Sequence, residues 1–178
     1  DLRLYREAVQ EHREKWALVQ TALCSLCQRH PNHTDKNVLF AKLLIIGRSY
    51  ATGIERQISN RGNRRGRAIE TLGDHLWRKH VVLDRIITSV ASVEEPLNAA
   101  ATRTILDAHG RLVRLIETVT EKQGHGTCAR SFASKYLHFH NPAVPIYDSY
   151  AAKAARAHRF PSGRISSSFA RPSSCDEK

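Results

Sequence analysis

Lys122-Gln123-Gly124-His125-Gly126-Thr127-Cys128-Ala129-Arg130-Ser131-Phe132-Ala133-Ser134-Lys135-Tyr136-Leu137, continued by His138-Phe139-His140-Asn141-Pro142-Ala143-Val144-Pro145-Ile146-Tyr147-Asp148-Ser149-Tyr150, decides how the chain is read. The pattern predicts a helix ending near Thr120, a tight Gly-x-Gly turn, and a new helix capped by Thr127 and running to about Phe139. A hairpin that opens a helix aims several unpaired backbone N–H groups in one direction, which makes a seat for phosphate. The proline-containing stretch 141–147 then reads as an extended connector. Asp148 follows, a good capping residue for a last helix beginning Ser149-Tyr150-Ala151-Ala152.

Upstream of this stretch the periodicity is helical throughout. Leu4, Val9, Trp16, Val19, Leu23 and Leu26 recur at helical spacing over residues 2–29. His30-Pro31-Asn32-His33-Thr34 breaks that helix, with Thr34 or Asp35 as the next cap. Residues 37–58 predict a second helix with a kink or break near Arg48-Ser49-Tyr50, because Gly47 and Gly53 interrupt it. Residues 69–90 predict a helix broken near Gly73 or His80. Glu94-Glu95-Pro96 reads as a helix start, and residues 97–119 as one or two helices around Gly110. No segment alternates with period two, so the expected class is mostly α with little or no sheet. One helical domain is expected over residues 1–159. Residues 160–178, rich in Ser, Pro, Arg and Gly, read as a loosely ordered tail.

Lys and Arg number 28 against 17 Asp and Glu, a formal net charge of +11. That balance favours phosphate-bearing partners. No run approaches the roughly 18 apolar residues that span a bilayer. Together these imply a cytoplasmic protein with no membrane partner. The chain contains no Met, which suggests a trimmed start. Cys24 and Cys27 form a C-x-x-C, with His30 and His33 near enough to complete a zinc set. Their place in an apolar helical pattern favours reduced core thiols instead. His138 and His140 stand two apart, a spacing that points helical side chains in different directions, so no metal or cofactor is expected there. Asn60-Arg61-Gly62-Asn63-Arg64-Arg65-Gly66-Arg67 reads either as a solvated loop or as a phosphate contact through Arg61, Arg64 and Arg65.

The order helix, Gly-x-Gly-Thr, helix, Val-Pro-Ile-Tyr-Asp, helix resembles the helix–hairpin–helix DNA glycosylases, above all their 8-oxoguanine branch. Gly124 and Gly126 match the hairpin glycines and Asp148 the family's essential aspartate, 24 residues after Gly124. A weaker match, Phe40 to Thr52, is similar to the helix whose polar end fills the gap left by a flipped base. The resemblance gives Ser49 or Tyr50 that role. It covers roughly residues 35–157, with specific motifs only in its last third. It implies a monomer acting on double-stranded DNA with a modified base, contacted by Gly124, His125, Gly126, Thr127 and Arg130 and by Arg48, Ser49 and Tyr50. Cys128, Tyr136, His138, His140 and Tyr147 would line the base pocket.

One departure bears on mechanism. Members that cleave through a Schiff base carry a lysine where this chain has Cys128. Lys135 lies seven residues on, about 10 Å further along the helix. The sequence therefore favours hydrolysis that leaves an abasic site, with Asp148 stabilising the cationic sugar and orienting water, over a Lys135 Schiff base. The base excised is open between an oxidised purine, a repair role, and a hypermodified phage cytosine such as glucosylated hydroxymethylcytosine, a defence role. Two other classes stay open: a non-catalytic nucleic-acid-binding module that keeps the hairpin, and a metal-dependent nuclease using the histidines.

Overall fold

The computed structural model describes residues 2–50, 52–58, 67–121 and 129–157, and among them every regular element is a helix. The chain runs α1 (Leu2–Arg29), α2 (Lys36–Ser49), α3 (Ile54–Ile58), α4 (Ala68–Arg78), α5 (His80–Val90), α6 (Ala99–Glu121), α7 (Arg130–His140) and α8 (Ser149–Ala157). The mostly helical expectation holds at this level. The hairpin residues Gly124, His125, Gly126, Thr127 and Cys128, the basic stretch with Arg61, Arg64 and Arg65, and the tail fall outside the described residues.

Local chemistry explains most of the boundaries. Asp35 caps α2, its Oδ1 accepting the N–H of Asn37 at 2.8 Å and of Val38 at 3.3 Å. Of the kink or break expected near residues 48–50, the chain makes a full break. Gly53 takes φ 68°, a conformation open to glycine, and turns the chain into α3. The break between α4 and α5 falls at Lys79, beside His80, the second of the two expected places, and not at Gly73. Helix α6 runs unbroken through Gly110. It begins three residues after Pro96, where Asn98 Oδ1 accepts the N–H of Ala101 at 2.8 Å, so Asn98 and not the Glu-Glu-Pro run supplies the cap. Ala129 occupies the position before α7 and makes no side-chain cap bond, and Thr127, the expected cap, lies outside the described residues.

Helix α2 packs against α1, α4 and α7, and α6 against α4, α5 and α7. The buried apolar residues form one cluster that runs from Leu23 of α1 to Val144 beyond α7. Burying each large aliphatic side chain contributes roughly 1.5–3 kcal/mol. In the α2–α4 seam the Phe40 ring lies over Gly73. A Cβ built at residue 73 would stand 2.5–2.8 Å from three ring atoms of Phe40. Gly73 thus interrupts no helix; it lets two helices approach. Gly73→Ala should lower stability by about 1–3 kcal/mol. Its combination with Phe40→Leu should cost less than the sum of the two single changes, measured by urea denaturation.

Candidate active site on helix α7

Successive side chains of α7 go to different partners. Lys135 is only 7% exposed, and its Nζ donates to the Tyr50 carbonyl at 3.1 Å and to Ser131 Oγ at 3.2 Å. Burial pushes its pKa down, opposed by the carboxylate of Asp148 nearby. The amine and the carboxylate that the sequence singled out are therefore electrostatic neighbours.

Asp148 reaches that position through a tethered connector. Residues 141–147 fold back along α7, held at three points. His138 Nδ1 bonds to the Val144 carbonyl at 2.8 Å. Asn141 Nδ2 donates to the carbonyls of Val90 and Val93 at 2.6 and 2.8 Å. Ser134 Oγ accepts the N–H of Tyr147 at 3.0 Å and donates to its carbonyl at 2.9 Å. Asp148 then caps α8 as expected, its Oδ1 accepting the N–H groups of Tyr150 and Ala151, both at 2.9 Å. Tyr147 and Tyr150 flank it and are exposed.

The adjoining face of α7, that of Tyr136 and His140, carries a buried polar chain. Asp84 Oδ1 lies 2.5 Å from His33 Nδ1 and accepts the His33 N–H at 3.0 Å. His33 Nε2 stands 2.6 Å from the Tyr136 hydroxyl. A carboxylate on Nδ1 calls for the proton there, so Nε2 accepts from the phenol. Tyr136 O accepts from His140 Nδ1 at 2.9 Å, leaving His140 Nε2 to accept from Lys42 Nζ at 3.1 Å. Lys42, with no exposed surface, also donates to the His30 carbonyl at 2.5 Å. Burial and the Lys42 charge push His33 down to about 4 and His140 down to about 3. Burial pushes the Cys27 thiol up to about 11, which keeps it protonated. Cys24 and Cys27 are free thiols, and no metal-ligating group of three or more forms among the described residues.

These placements correct the expected base pocket. Tyr136 and His140, four residues apart, point together into the interior, and His138 is engaged with the connector. Of the pocket residues that are described, only Tyr147 presents an exposed side chain. Tyr50 does not stand ready to leave the protein. Its ring is packed against Trp16 at 4.9 Å and Phe139 at 4.8 Å, a T-shaped and a tilted contact that hold it in place. Ser49 ends α2, and Arg48 is paired with Glu55 at 2.9 Å. Arg130 begins α7, its carbonyl accepting from His109 Nε2 at 3.0 Å. A depression of about 540 Å³ lies elsewhere, lined by Thr34 and by His80, Asp84, Arg85, Thr88 and Ser89 of α5, with no residue from α7 or α8.

Compared with protein-family models, curated proteins and solved structures, the chain matches none. The site thus rests on its own chemistry. Ser131, Ser134, Asn141, Lys42 and Asp84 are not marked as functional by the sequence, and His33, which the sequence offers as a zinc ligand, is instead bonded to Asp84 and Tyr136. The one signal that could have marked any of them was the spacing Ser131, Ser134, Lys135, which places both hydroxyls within a helical turn of the lysine.

The two buried histidines make stability depend on pH. Their folded values lie below the unfolded value of about 6.5, so the unfolded chain takes up protons first as pH falls. Stability should be insensitive to both groups above pH 7 and decline from about pH 6.5 towards pH 4. For His33 the loss at pH 5 is about 2 kcal/mol. Urea midpoints at pH 7.5, 6 and 5 check this, and His33→Gln should flatten the slope.

Proposed function

We propose that the chain is a DNA N-glycosylase that removes a modified base from a flipped-out nucleotide, with Lys135 and Asp148 as its chemical pair. The observation that carries this reading is a buried lysine, its ammonium form disfavoured by burial, within electrostatic reach of a carboxylate fixed at a helix N-terminus. The residues preceding each of them, Ser134 and Tyr147, are hydrogen-bonded to one another. Breaking an N-glycosidic bond builds positive charge on the sugar, and a held carboxylate stabilises it without reorganising. The net charge of +11 supplies the attraction for the DNA backbone. The base is an oxidised purine or a hypermodified cytosine, in repair or in defence against phage DNA.

Burial of Lys135 supports the amine as nucleophile in place of water, against the opposing pull of the Asp148 carboxylate. A lysine with a lowered pKa holds a larger neutral fraction, and its lone pair can attack C1′. The C1′–N bond breaks, its electron pair leaves with the base, and the base takes up a proton. Opening of the sugar ring gives an iminium between Nζ and C1′, which water returns to the free amine. Cys128, where Schiff-base members carry lysine, then needs no catalytic role.

Incubation with oxidised and phage-modified duplexes should release one free base, identified by mass spectrometry. Borohydride should trap a covalent protein–DNA adduct with the wild type and none with Lys135→Ala. Asp148→Asn should slow release about 10²-fold or more while leaving salt-sensitive DNA binding unchanged. Base release without a trapped adduct would return the reaction to water. Release from no substrate would leave a binding module.

A further inference from the structure

We infer that Ser134 is the positioning residue that sets the separation between Lys135 and Asp148, by bonding to both the N–H and the C=O of Tyr147. Ser134 precedes Lys135 on α7 and Tyr147 precedes Asp148, so a bond between these two neighbours fixes the reach from amine to carboxylate. The inference rests on the pairing of those groups proposed above.

The geometry is that of a built clasp. Ser134 is 2% exposed, and its Oγ accepts one bond from the N–H of residue 147 and donates to the C=O of the same residue. Its one proton is also within reach of the Ser131 carbonyl, 3.1 Å from Oγ, which shares it with the shorter bond to Tyr147. Ser131 in turn presents its Oγ to Lys135 Nζ. The other two tethers act further back along the connector, at Asn141 and Val144. Ser134 is thus the tether nearest Asp148, and its loss frees the aspartate while the connector stays attached. A backbone group buried without water needs such a partner, so the clasp also stabilises. The test must separate the two roles.

The first readout needs no substrate. With lysine labelled at 13Cε, the titration of Lys135 in the free protein is followed by NMR in wild type, Asp148→Asn and Ser134→Ala. Removing the carboxylate should move the midpoint down, and Ser134→Ala should reproduce at least half of that movement. Ser89→Ala, which deletes a comparable hydroxyl bond to the Ile86 carbonyl on α5, should lower Tm without moving it. The second readout is kinetic: Ser134→Ala should lower kcat about tenfold with KM within twofold of wild type. An unmoved midpoint in Ser134→Ala alongside a moved one in Asp148→Asn would overturn the positioning role. If the wild type releases no base while the midpoints move as expected, the glycosylase reading falls and the positioning role of Ser134 stands.

Discussion

The hydrogen bond between the Asp84 carboxylate and His33 Nδ1 is the constraint on which the rest of this structure depends. A buried imidazole must have its proton assigned, and the carboxylate assigns it to Nδ1. Nε2 is thereby made an acceptor, and the Tyr136 hydroxyl has a partner inside the core. Without that assignment the buried phenol O–H would lose its acceptor, at a cost of about 1–3 kcal/mol. The chain joins α5, the turn before α2, and α7, which are distant in sequence. Apolar packing alone fixes helices loosely about their axes, whereas a directional bond fixes rotation.

Rotation is what matters for α7, because each of its side chains has a separate task. With Tyr136 and His140 turned inward, the position before Tyr136 must lie to one side of that buried face, and Lys135 is delivered to the Tyr50 carbonyl and Ser131. Ser134 and His138, four apart, share the face along which the connector returns. Lys42 closes the far end of the polar chain. Its ammonium group donates to a main-chain carbonyl and a neutral imidazole, neither of which carries a compensating charge. Removing it would strand both acceptors.

The helices were legible because their signals are local. The apolar period of α1, the Asp35 cap and the Asp148 cap each depend on residues within a turn of one another. Where the sequence misled, a long-range contact had overridden a local cue. Gly73 is one of two places where the sequence allows a break, and it is where Phe40 crosses; around Gly110 the sequence allows one helix or two, and the helix is continuous there, supported by α4, α5 and α7. The polar network was illegible for the same reason. His33 meets Asp84 across 51 residues and Tyr136 across 103, and nothing in composition or spacing marks those pairings. Tyr136 and His140 were read as lining a pocket because aromatic and imidazole groups suit stacking. Their depth, which decides otherwise, is a property of the folded state. Asp148 and Lys135 were both legible as candidates, but only the returning connector reveals that they are neighbours.

The burial of Lys42 and Lys135 has a bearing on how the molecule presents itself to chemistry in general. Electrophiles that acylate amines act on the neutral, accessible form. Lys42 is inaccessible, and Lys135 is neutralised more readily than a surface lysine but is almost wholly buried. Small aldehydes and bulky activated esters would therefore rank the lysines of this protein in different orders, because one reagent is sorted by basicity and the other by size.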